Sequence, residues 1–77
     1  MSDGRLQWQC RRGMRELDEL LAGYLQSSYE KTTEPEKAAF RALLELPDPE
    51  MIAYILGNLL HDDPDIADVI EKVRSRT

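Results

Sequence analysis

The chain has little of what catalytic and metal sites are usually built from. It holds one cysteine and one histidine among 77 residues. That excludes an internal disulfide and leaves too few ligands for a zinc cage. No run comes near the ~18 consecutive apolar residues of a membrane span. Neither sustained apolar–polar alternation nor a hairpin dipeptide set between two strand-like runs occurs, so no sheet is expected. The N-terminus, "MSDGRLQWQC", carries an aspartate and no apolar core, so no secretory signal is expected. Nor is it an arginine-rich, acid-free transit sequence, and the expected compartment is a reducing cytoplasm.

What remains is short, charged and helical. A chain of this length makes one domain at most, here taken as residues 1–77. Leu17, Leu20, Leu21, Tyr24 and Leu25 recur at spacings of three and four. This predicts an amphipathic helix from Gly13 or Met14 to Tyr29. Thr33-Glu34-Pro35-Glu36 reads as a capping box, with the Thr33 hydroxyl on the Glu36 N–H and the Glu36 carboxylate reaching back. The helix it opens buries Ala39, Phe40, Leu43 and Leu44 and stops before Pro47. Asp48-Pro49-Glu50 is a second start signal, with Asp48 as N-cap. Met51, Ile52, Ile55 and Leu56 form the buried side behind it, and Gly57-Asn58 weakens or ends the helix. Asp63-Pro64-Asp65 repeats the signal before Ile66, Val69, Ile70 and Val73. The expected fold is all-α: a compact bundle of four main helices, with a short fifth helix over residues 5 to 12.

Charge is distributed unevenly. Arg5, Arg11, Arg12 and Arg15 give the first 16 residues a net charge of +2 against Asp3 and Glu16, on a chain whose total is −5. The remainder is strongly acidic. An acidic chain of pI near 4.7 is a poor general ligand for nucleic acid, which attracts basic faces.

No nucleophile–base pair, metal cage or phosphate-cradling loop is visible, so neither a catalytic nor a metal-binding residue is expected. His61 reads as a surface or capping histidine beside a helix start. Asp62, Asp63, Asp65 and Asp68 lack the glycine and terminal glutamate of a calcium loop. They fit the positive end of a helix dipole instead. Cys10 is either a packed small hydrophobe or a thiol activated by its arginine neighbours. Trp8, at helical spacing from Arg5, Arg11 and Arg12, also has two readings. It caps the core with the arginines snorkelling outward, or it anchors an interface. Gly13 interrupts a helical stretch, which permits a bend or the approach of another backbone. Glu16 stands three residues beyond it, within i,i+4 reach of Arg12.

"RLQWQCRRGMRELD" resembles the signature of the small succinate dehydrogenase assembly factors, known as SdhE in bacteria and as flavinylation factors in mitochondria. Their Arg-Gly-x-x-Glu motif corresponds to Arg12-Gly13-Met14-Arg15-Glu16. "FRALLELPDPEMIAYIL" resembles their second block, with Tyr54 where tryptophan also occurs. The two blocks cover more than a third of the 77 residues. The resemblance implies a five-helix protein that binds the flavoprotein subunit of succinate dehydrogenase, and in bacteria that of fumarate reductase. It further implies that the factor promotes covalent attachment of FAD to its client. FAD is then handled through the client and not held firmly, with no nucleic acid and no membrane insertion. Carried over by position, Arg12, Gly13 and Glu16 are the motif, with Arg5, Trp8, Arg11 and Arg15 around it. The family is also known as the antitoxin of a membrane-associated toxin. That leaves an antitoxin-like binding module as the alternative, and a small nucleic-acid-binding helical protein as a further one.

Overall fold

A computed structural model describes residues 4–75. Five helices follow in order: α1 (Gly4–Gln9), α2 (Arg15–Ser27), α3 (Glu34–Leu44), α4 (Asp48–Ile55) and α5 (Pro64–Arg74). A 3-10 turn, Tyr29–Lys31, joins α2 to α3. No strand forms among the described residues. The radius of gyration is 11.2 Å, against about 11.5 Å expected for a compact chain of this length.

The core is the meeting of the predicted stripes. Leu17, Leu21 and Tyr24 of α2, Ala39, Phe40, Leu43 and Leu44 of α3, and Val69, Ile70 and Val73 of α5 are all buried. α3 packs most extensively on α5, and α2 lies against both α5 and α1. Phe40 is the hub: the ring of Tyr24 lies 4.7 Å from it and that of Tyr29 lies 5.6 Å away, centroid to centroid. Each fully buried side chain of this size contributes about 1.5–3 kcal/mol. With no disulfide in reserve, these contacts carry the fold.

Two of the expected caps form differently. Thr33 does accept the Glu36 N–H, at 3.3 Å. The return arm of the box is absent, because the Glu36 carboxylate is taken by the Tyr24 hydroxyl and by Lys72 Nζ, the latter at 2.6 Å. Burying the Tyr24 phenol without an acceptor would be costly, and Glu36 is the nearest anion. At α4 the N-cap is Pro47 and not Asp48, which is the first helical residue. Asp63 does cap α5, accepting from the N–H groups of Asp65 and Ile66. α2 ends at Ser27, two residues short of the expected Tyr29, and Tyr29 begins the 3-10 turn. Leu56, expected in the core, is 39% exposed, because α4 ends one residue before it.

Candidate functional site

The turn between α1 and α2 is built around a carboxylate. Asp18 sits one turn into α2, and its Oδ1 accepts the backbone N–H of Arg12 at 2.7 Å. Its Oδ2 accepts the N–H of Gly13 at 3.2 Å. The two donors point the same way because Gly13 has φ +83°, in the left-handed region. Such a pair of N–H groups is a natural cradle for an anion, and this chain fills it with its own side chain. α2 is thereby started without a side-chain cap: its N-cap is Met14, and Asp18 reaches back to close the turn. In the sequence Asp18 is one of the polar residues between the apolar positions of α2. Its position in the first turn was the only clue to this role.

Arg12 faces inward, unlike its arginine neighbours. Its Nε donates to the Gln9 carbonyl at 3.0 Å, at the end of α1. Nη1 donates to the Leu46 carbonyl at 3.0 Å and to Asp48 Oδ1 at 3.2 Å, and Nη2 donates to the Leu44 carbonyl. The side chain keeps 14% of its exposure. One guanidinium therefore ties the N-terminal segment to the end of α3 and the start of α4, satisfying carbonyls that a helix leaves unpaired. The expected Arg12–Glu16 pair does not form. Fixed carbonyl acceptors and a partly covered carboxylate bind the planar fork better than a solvated glutamate can.

The other motif residues turn outward. Arg5, Trp8, Arg11, Gly13, Arg15 and Glu16 are all exposed. Trp8 is 73% exposed, with the Arg11 guanidinium 5.8 Å from its ring centre. The ring buries little against its own fold, so Trp8 does not cap the core. Arg15 pairs with Glu19 at 3.3 Å along α2. A β-carbon added at Gly13 would meet nothing within 4 Å, so the glycine serves backbone conformation and leaves open surface above it. Beside this face, α1 and α2 diverge to leave an open cleft of about 370 Å³ lined by Gln7, Cys10, Arg11, Asp18, Ala22 and Leu25. On the other flank Arg5 borders a second cleft with Gln9, Arg41 and Glu45.

Cys10 is buried, and burial pushes its thiol up to about 11. Arg12 opposes this shift and Asp18 adds to it, but desolvation wins. Of the two readings of Cys10, the structure selects the packed hydrophobe. His61 Nδ1 accepts the Asp63 N–H at 3.0 Å, as a capping histidine does. Among the described residues no His, Cys, Asp and Glu cluster is arranged to hold a metal. No helix among them is long and apolar enough to cross a membrane.

A small helical scaffold that turns an arginine-flanked tryptophan and a bent backbone to solvent offers a surface on which another protein can dock. Residues 4–77 match the family model described as flavinator of succinate dehydrogenase. The chain is 38% identical over 76 residues to the FAD assembly factor SdhE of Shewanella oneidensis, covering 99% of this chain and 93% of that one. It is 40% identical over 72 residues to the SdhE of Methylococcus capsulatus, covering 94% and 87%. To that of Idiomarina loihiensis it is 39% identical over 72 residues, covering 94% and 80%. The chain belongs to this family of FAD assembly factors, whose members assist a flavoenzyme and are not enzymes themselves.

Proposed function

We propose that this protein binds the flavoprotein subunit of succinate dehydrogenase through the exposed face of the α1–α2 turn and promotes covalent attachment of its FAD. The observation that carries this reading is the division of labour within the motif. Arg12 and Asp18 lock the turn from inside, leaving Gly13 and Glu16 exposed, as Trp8 and Arg11 are. Trp8 is the anchor. Gly13 lets the client backbone approach, and Glu16, Arg11, Arg15 and Arg5 set its orientation through charge-assisted hydrogen bonds. Arg12 acts as a positioning residue.

The factor contributes no catalytic group. Forming the flavin bond needs groups arranged in the client's own site. By binding one arrangement of the client more tightly than others, the factor raises the population competent for attachment. FAD is handled through the client, and the site of action is the cytoplasm. The same face extends to the flavoprotein subunit of fumarate reductase.

Glu16→Ala tests the reading. Among the described residues no hydrogen bond or ion pair engages the Glu16 carboxylate, so its loss should leave the melting temperature nearly unchanged. Covalent flavin on the client, read as in-gel fluorescence in a strain lacking the native factor, should fall severalfold. Normal flavinylation by this variant would contradict the proposal.

A further inference from the structure

Away from Trp8, large apolar side chains stand exposed in the connector between α4 and α5. Leu59 is 53% exposed and Leu60 is 80% exposed. The connector that displays them is ordered. The Gly57 N–H bonds the Ile52 carbonyl at 2.9 Å, and the Leu59 N–H bonds the Ala53 carbonyl at 3.2 Å. Arg74 Nη2 donates to Asn58 Oδ1 at 2.6 Å, and the His61 ring packs 4.9 Å from that of Tyr54. A β-carbon at Gly57 would fall 2.7 Å from the Ala53 oxygen, so this tight turn depends on glycine. The leucines are thus held out in water by a built turn. Asp62, Asp63 and Asp65 follow at once, and no cation occurs from Leu59 to Glu71.

The complementary surface is on the same chain. Trp8 is exposed, Arg11 lies over its ring, and Arg5 is exposed three residues before it on α1, with no carboxylate from Gly4 to Arg15 in the sequence. One copy cannot cover its own leucines with this end. Arg12 fastens the N-terminal segment to the start of α4, whereas the connector leaves the far end of that helix. An eight-residue helix separates its two ends by about 12 Å. We propose that a second copy of the chain covers the connector: Trp8 of one copy seats on Leu59 and Leu60 of another, and Arg5 and Arg11 face Asp62, Asp63 and Asp65. Few apolar residues take part, far short of the ~800 Å² per partner of a stable interface. The association is therefore weak, concentration-dependent and sensitive to salt. It uses the face that the flavoprotein reading assigns to the client, so the two partners compete for Trp8, and self-association is read with the client absent.

Sedimentation equilibrium of the full chain, from about 10 µM to about 1 mM, tests this in the range of weak interfaces. In low salt the average mass should climb above that of the monomer, and in high salt it should fall back. Trp8→Ala and Leu60→Asp change only exposed side chains, so both should keep the wild-type helical circular dichroism. Each alone should associate at least about tenfold more weakly than wild type. Mixing them should restore dimers, because the first retains the leucines and the second retains the tryptophan. A wild-type chain monomeric throughout would overturn the proposal. So would a variant that associates like wild type, or a mixture that gains nothing.

Discussion

Arg12 and Asp48, 36 residues apart in sequence, meet at 3.2 Å, with the arginine keeping 14% of its side-chain exposure and the aspartate 46%. The pair is one part of a larger clasp, since the same guanidinium serves the carbonyls of Gln9, Leu44 and Leu46. Its worth lies in those carbonyls. A half-solvated ion pair adds only about 0–1 kcal/mol by itself, while part-buried carbonyls stripped of a charged donor cost more.

Arg12→Ala should destabilise the fold by about 2–3 kcal/mol, which for a chain of this size lowers Tm by on the order of 10 °C. Arg12→Lys, a point charge in place of a fork, should recover less than half of that loss. Thermal unfolding followed by circular dichroism reads both. An Arg12→Ala protein that melts with wild type would make Arg12 a surface residue after all.

Gly13→Ala should cost about 1–2 kcal/mol, because φ +83° is disfavoured for an L-residue while the β-carbon itself meets no atom. A synthetic chain with D-alanine at the same position should lose nothing, since its preferred φ is positive. Denaturant midpoints of the two proteins separate backbone conformation from steric fit. Equal losses in both would mean that space, not φ, demands the glycine.

Glu36 links Tyr24 and Lys72, and its acidity follows from that. Burial would raise its pKa, but hydrogen bonds from Lys72, Tyr24 and Thr32 outweigh burial and lower it. The Lys72 pKa is raised, chiefly by its bond to Glu36. A lowered carboxylate contributes stability that is present above its unfolded pKa of about 4.3 and lost as pH falls through the folded value. A raised ammonium contributes stability that is present below about 10.4 and lost as pH rises through its folded value. Glu36→Gln should therefore be less stable than wild type at neutral pH, with the difference closing in acid below the folded pKa. Urea titrations across acid pH check this. A gap that stayed constant to the lowest pH would contradict the role of the ionised carboxylate.

Helices, their apolar stripes and two of the three proline-marked starts were legible in the sequence because each is a local pattern. Thr33 and Asp63 cap as their spacing requires. The departures at the caps of α3 and α4 involve partners distant along the chain. Asp48 sits at the start of α4 as expected, yet its carboxylate goes to Arg12. Glu36 has the spacing of a capping box, but Tyr24 and Lys72 compete for it from neighbouring helices. The candidate face was legible as a cluster of residue types around Trp8 and Gly13. Which of them turn inward was not, because i,i+4 reasoning sees one helix only. Beyond the Gln9 carbonyl, Arg12 has its acceptors on α3, on α4 and in the turn between them, and no local rule could place it there.

The most direct test of the docking face is site-specific photocrosslinking to the purified flavoprotein subunit of succinate dehydrogenase. A photoreactive benzoylphenylalanine replaces Trp8 in one protein and Ala38, exposed on α3, in another. Position 8 should yield a covalent adduct with the flavoprotein subunit, lost when unlabelled wild-type chain is added in excess, and position 38 should yield none. Adducts from position 38 alone, or equally from both, would contradict a client seated on the α1–α2 turn.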